Sequence, residues 1–289
     1  MLLLAVLACA AELEPVSGWP EAGCVSQHAP VTGHSLVSSQ TGTLEGLQVG
    51  LLVPMEPGCY PAVVMVPPGI EAGVGALDES PAMHLAASGV VVAAYDPSGR
   101  GLSAGVEDYG GPAHREDLAQ VLRVVAARED VDPSRVWVLS RSYGVGVSAA
   151  TLAGLTPQAA GLIDLEGPAR LPEDLEHVDD QARQTLESAA TGPDWYTERS
   201  AAEHIGRVPG HYLRIQALAD HATGEWLGHA LTLLNAAWQG EAASVRLNGQ
   251  GGGPWEYEQV QAQALEGRVK LDDERVHALL LQALSQGID

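Results

Sequence analysis

Phenylalanine does not occur in this chain of 289 residues, lysine occurs once, at Lys270, and 15 basic residues stand against 37 acidic ones, a formal net charge of -22. Such a surplus repels phosphate backbones and anionic headgroups, which argues against nucleic acid as a partner and against electrostatic binding to a membrane. With the acids unmatched and lysine almost gone, the composition predicts a salt-rich habitat, which a salt series of thermal melts would check. Cysteine is scarce as well, at three residues, and no Cys/His spacing suggests a structural zinc site. No metal and no organic cofactor is implied. The apolar run at the N-terminus, MLLLAVLACAA, is too short to anchor the chain across a bilayer.

What is present is enough apolar residue, 46 % of the chain, for one large core in one domain. The N-terminal run followed by small residues reads as an export signal over residues 1–10, with a polar Pro/Gly-containing linker over 11–32 and the domain over 33–289. Val6-Leu7-Ala8-Cys9 resembles the lipobox of bacterial lipoproteins, with Cys9 as the lipidated residue, while Ala8-Cys9-Ala10 also fits an A-x-A cleavage site for free secretion. The expectation is therefore an exported chain, a periplasmic or cell-surface lipoprotein or a secreted one, that meets a membrane only through a lipid at Cys9. Cys24 and Cys59 then remain as an even pair, expected to be bridged in an oxidising compartment.

The stretch Arg135 to Gly146, RVWVLSRSYGVG, carries the chemistry. An apolar run, Val136 to Leu139, breaks at Ser140-Arg141-Ser142-Tyr143-Gly144 and passes into a small-residue segment suited to a helix packed close to a sheet. Strand, sharp turn and helix in this order resemble the nucleophile elbow of the α/β-hydrolases, G-x-S-x-G, with Ser142 as nucleophile. Ser140 replaces the first glycine and is small enough for its steric role.

Before the elbow, His34 to Ser39 and Leu44 to Val53 read as antiparallel strands, and Ala62 to Val66 as a central strand buried on both faces. The strand stops at Pro67-Pro68-Gly69-Ile70. In the family that the elbow resembles, this loop donates one oxyanion-hole N–H and the residue after the nucleophile donates the other. The prolines have none to give, which leaves Gly69 or Ile70, with Ile70 taken together with Tyr143. Asp96-Pro97-Ser98-Gly99-Arg100-Gly101-Leu102-Ser103 is similar to the D-x-R-G-x-G-x-S type loop of prolyl-oligopeptidase-like and X-Pro dipeptidyl-peptidase-like hydrolases, and Arg100 is expected to anchor loops by pairing with a carboxylate. Pro112 to Arg128 is an amphipathic helix with Leu118, Val121, Leu122 and Val125 on one face. The resemblance implies an α/β-hydrolase fold, a mostly parallel central sheet flanked by helices, with a small helical lid at about 169–208 after the sixth strand.

Beyond the lid, the strand YLRIQAL ends at Asp220-His221. Asp220 is the position-matched triad acid and Glu166, one strand earlier, is the alternative. The family places the histidine in the loop after the last strand, but here that loop, Gly249 to Pro254, holds none. Three readings stay open: His229 as the provisional base, His221 as the base, or a degenerate hydrolase that binds without turnover. The expected function is an exported serine hydrolase that cleaves an ester or amide of a small-molecule or peptide substrate. The alternative is a catalytically impaired α/β-hydrolase-like binding protein at the cell surface.

Overall fold

The strand Tyr60–Val66 sets the pattern of the molecule, because its side chains alternate between two apolar layers. Ala62, Val64 and Val66 face one core while Val63 and Met65 face the other, so a run without a polar residue is what a strand covered on both faces requires. The computed structural model describes residues 9–14, 24, 36–155, 158–175 and 180–285.

Among these residues ten strands form one sheet: β1 (Cys9–Glu12), β2 (Val37–Leu44), β3 (Leu47–Pro54), β4 (Tyr60–Val66), β5 (Val91–Tyr95), β6 (Val131–Arg141), β7 (Gly161–Leu165), β8 (Gly210–Ile215), β9 (Ala242–Leu247) and β10 (Gln250–Gly251). Their spatial order is β1-β2-β3-β5-β4-β6-β7-β8-β9-β10. The block from β5 to β9 is parallel throughout, and antiparallel pairing is confined to β2–β3, β3–β5 and β9–β10. The order reverses around β4, whose partners are β5 on one side and β6 on the other. Open parallel sheets bind ligands beyond the carboxyl ends of their strands at such a switch point.

Two helices, α1 (Ser80–Ala87) and α8 (Glu274–Ser285), cover one face, through Ala82, Leu85 and Ala86 and through Val276, Leu280 and Leu284. The other face is covered by α2 (Pro112–Ala126), α3 (Gly144–Leu152) and α6 (Gly228–Gln239), with α7 (Tyr257–Gln263) adding Val260. The expected stripe of α2, Leu118, Val121, Leu122 and Val125, is buried. Each such side chain contributes roughly 1.5–3 kcal/mol by leaving water.

The expected lid contains α4 (Asp180–Ala189), α5 (Pro193–Arg199) and short 3-10 turns, and it follows β7. It comes after the seventh strand rather than the sixth because Cys9–Glu12 adds a strand, parallel to β2, at the sheet edge. Residues 1–8 of the expected export signal, and most of the 11–32 linker, lie outside the described residues. Cys24 and Cys59 are joined by a disulfide, which ties residue 24 to the base of β4.

Candidate active site

Ser142 sits where β6 turns into α3, with φ at 49°, in the left-handed region that non-glycine residues avoid. Such a conformation costs on the order of 1–3 kcal/mol and persists only where the surroundings enforce it. Here they do: the Ser142 N–H donates to the Leu165 carbonyl (3.0 Å) on β7, and the Ser142 carbonyl accepts from the Val145 N–H (3.1 Å) as α3 begins. Gly144 is required by close approach, since a Cβ there would lie 2.8 Å from the Pro67 carbonyl oxygen. Ser140, in the place of the first glycine, is buried and fits, with its hydroxyl donating to the Ile163 carbonyl (3.4 Å).

One strand over, Glu166 repeats the device at the end of β7, with φ at 54° and its N–H donated to the Ile215 carbonyl (3.1 Å). Two strained residues thus stand side by side at the carboxyl ends of adjacent parallel strands. The loop after β8 brings His221 between them. His221 Nε2 lies 2.7 Å from Ser142 Oγ, and Nδ1 lies 3.1 Å from Glu166 Oε2. The other Glu166 oxygen accepts from the Ala217 N–H at 3.1 Å. These partners define the ring's roles: Nδ1–H donates to the carboxylate, and Nε2 is left to accept from the serine. Burial disfavours the imidazolium, but the Glu166 hydrogen bond, with the charges of Asp220 and Glu166, outweighs it and holds the His221 pKa above its ordinary value.

His229 and Asp220 do not take the positions expected of base and orienting acid. His229 Nε2 lies 3.0 Å from Asp220 Oδ2 and its Nδ1 is 3.2 Å from Thr223 Oγ1, an arrangement sealed inside the protein. The reason lies in the tight turn after β8, where Asp220 and Gly224 exchange both backbone hydrogen bonds (2.8 and 3.0 Å). Asp220 points inward, and its Oδ1 accepts from the Ala222 and Thr223 N–H groups (2.6 and 3.1 Å), while its neighbour His221 points out towards Ser142. Despite burial, the bonds from His229 and Gln216 hold Asp220 well below the usual carboxylate range.

Beneath Ser142, His221 and Glu166 runs a buried polar chain that sequence reading did not find. Asp164, on β7, accepts from the Arg214 guanidinium and from the Tyr212 hydroxyl (2.8 Å) on β8. Arg214 donates to Gln216 Oε1 (3.0 and 2.6 Å), and Gln216 Nε2 donates to Asp220 Oδ2 (2.8 Å). Asp164 and Arg214 belong to strands that read from sequence as merely apolar with polar interruptions. A buried charge at each of two adjacent positions in neighbouring strands is the signal, but it needs the β7–β8 register, Asp164 opposite Arg214, to be recognised.

Ile70, the expected oxyanion donor, lies in the loop after β4. Arg100 is bidentate to Glu107 (2.7 and 2.9 Å) and donates to the carbonyls of Gly69 (3.0 Å) and Glu71 (3.3 Å), so it anchors this loop. Asp96 holds the same segment by accepting from the N–H groups of Gly73 and Val74, each at 2.9 Å. In a trans peptide the N–H points opposite to the C=O, so fixing the Gly69 carbonyl on Arg100 turns the Ile70 N–H away from it. Neither the Ile70 nor the Tyr143 N–H has an acceptor among the described residues. The Tyr143 phenol is occupied elsewhere, donating to the Tyr109 carbonyl (2.6 Å), so this residue offers only its backbone.

Ser142 and His221 open into a cleft of about 780 Å³. Its walls include Gly69, Arg141, Ala182 from α4 and Lys270, the single lysine of the chain. Glu166, Asp220 and His221 bring their polar atoms within 4.8 Å of one another, as metal ligands would. Those atoms are already engaged: both Asp220 oxygens and Glu166 Oε1 accept protein N–H groups, and His221 bridges Glu166 to Ser142. The arrangement suits proton transfer rather than a cation.

No protein-family model matches the chain, and no curated protein matches it. Solved structures do. An acetyl xylan esterase from Thermoanaerobacterium superposes with a TM-score of 0.56 at 17 % identity, covering 83 % of this chain and 80 % of that one. A putative dipeptidyl aminopeptidase IV from Bacteroides ovatus gives 0.64 at 17 % identity, covering 90 % of this chain and 37 % of that one. A puromycin-hydrolyzing peptidase of Mycobacterium tuberculosis gives 0.63 at 17 % identity, covering 86 % of this chain and 39 % of that one. The chain thus spans under half the length of these two peptidases. The reversal of strand order at β4, the helices on both faces and these superpositions agree: the chain has the α/β-hydrolase fold.

Proposed function

We propose that this protein is an exported serine hydrolase that cleaves an ester or amide bond of a small-molecule or peptide substrate by acyl transfer. The observation that carries the reading is a serine at a strained strand-to-helix turn with an imidazole nitrogen 2.7 Å from its hydroxyl and a buried carboxylate 3.1 Å behind the ring. The chain order of nucleophile, acid and histidine is that of the family, with acid and base each one strand earlier than the family's usual positions. The missing histidine after β9, which favoured a non-catalytic binder, is answered by His221 after β8. Export is supported by the apolar leader and by the Cys24–Cys59 bridge.

In this mechanism His221 Nε2 takes the Ser142 proton as Oγ attacks the substrate carbonyl, and the imidazolium is held by Nδ1–H donated to Glu166. The Ile70 and Tyr143 N–H groups receive the developing oxyanion, each worth roughly 3 kcal/mol of barrier. His221 then returns the proton to the leaving group. Water, activated by the same nitrogen, releases the acyl group from Ser142. A fluorophosphonate probe tests the assignment: it should label the native protein and not Ser142→Ala or His221→Ala. Labelling that survives in Ser142→Ala, or none in the native protein, would end this reading.

A further inference from the structure

His221 faces a second carboxylate that the triad does not use. Asp220 Oδ1 lies 3.8 Å from His221 Nδ1, on the same ring edge as Glu166 Oε2. A charge this close to a ring atom acts on it without a hydrogen bond, here from a fully buried carboxylate onto a ring partly open to water. Asp220 is built to remain charged there. Four donors converge on it: the Ala222 and Thr223 N–H groups, Gln216 Nε2 and His229 Nε2. Gln216 is in turn fixed by Arg214, and Arg214 by Asp164, so the carboxylate is wired to the centre of the sheet. The same short stretch holds Glu166, through the Ala217 N–H. One buried network therefore sets the place of both acids around one ring.

Resting on the serine-hydrolase reading above, we propose that Asp220 is a positioning residue that serves His221 as a second acid, sharing with Glu166 the stabilisation of the imidazolium. The other charged groups around the ring are few. Arg141, Lys270, Glu71, Glu79 and Asp272 line the same cleft, and Arg214 has an opposing effect on the ring. Of these carboxylates, none makes an ion pair with His221, whereas Glu166 and Asp220 both stand within 4 Å. At the position where the family keeps its triad acid, this chain thus retains a carboxylate that works through charge and loop geometry, after the hydrogen bond has passed to Glu166.

The test is the pH dependence of kcat/KM for p-nitrophenyl acetate in the full chain, together with NMR titration of the His221 ring. Asp220→Asn should move the acidic limb and the ring titration to lower pH by about one unit. His229→Gln, which keeps the Asp220 charge while cutting a structural bond, should leave both within about a third of a unit of the native protein. Loss of rate in Asp220→Asn with an unmoved limb and unmoved ring titration would reduce Asp220 to a structural role and overturn the proposal. Should Asp220→Asn fail to fold, Glu166→Gln carries the test. With Asp220 as the remaining carboxylate, its ring should titrate at or above the ordinary value of about 6.5, and a titration below that overturns the proposal. The NMR arm needs no turnover, so a native protein that hydrolyses nothing yet shows the shift refutes the hydrolase reading alone.

Discussion

Replacing His221 and His229 separately by alanine should have opposite consequences, and the contrast follows from their surroundings. The His229 side chain is 0 % exposed and so is that of its partner Asp220, whereas the His221 side chain is 43 % exposed. Removing a hydrogen-bond donor from a buried carboxylate costs about 1–3 kcal/mol, and more where the group is charged, because water cannot replace it there. Asp220 keeps Gln216 and two backbone donors, so about 3 kcal/mol is expected for His229→Ala. In a domain of this size that lowers Tm by roughly 6–12 °C. At a temperature well below the new midpoint, turnover of a p-nitrophenyl ester should fall by no more than about tenfold. His221→Ala should change Tm by no more than about 2 °C, because the ring is partly in water, yet it removes the base and should cut kcat by at least about 10⁴-fold. Differential scanning calorimetry and initial rates on the same preparations decide it. A His221→Ala protein that keeps its rate, or a His229→Ala protein as stable as the native one but inactive, would refute the assignment.

Other outcomes follow from the same geometry. Arg214→Met leaves Asp164 charged inside the sheet and should cost about 3–5 kcal/mol, whereas Asp164→Leu combined with Arg214→Met should recover most of that loss, read from urea midpoints. Arg100→Met frees the Gly69 carbonyl and with it the direction of the Ile70 N–H, so kcat should drop by about 10²-fold with KM changed little, and an equal loss in KM alone would show that the loop serves binding instead. Because the His221 pKa is raised and the base must be neutral, kcat/KM should climb with pH through a limb above about 6.5, and a limb below that value contradicts the Glu166 hydrogen bond.

The elbow was legible in the residues themselves. A strand pattern, a serine with small residues two places to either side and a small-residue helix specify a local turn, and Ser140 with Gly144 satisfies its steric terms within one stretch of chain. The two-layer burial of β4 and the apolar stripe of α2 were legible for the same reason, since periodicity is a local property. Arg100 as a loop anchor could be anticipated from its motif, although its hold on the Gly69 carbonyl could not. The partners of Ser142 were harder. Glu166 and His221 were both in view, yet family position favoured Asp220, and the sequence reading put His229 on its helix ahead of His221 as the base.

The order of apolar runs along the chain determined by itself the alternation of strands and helices, from which a mostly parallel sheet follows, and a serine at a strand-to-helix turn, because strand, turn and helix patterns need only neighbours in sequence. Which carboxylate and which ring meet that serine depends on β7 lying between β6 and β8, and on a turn that sends Asp220 inward and the next side chain outward. Hydrogen-bond geometry is decided over distances of about 3 Å between groups 55 and 79 residues apart, and only the packed strands bring such groups together.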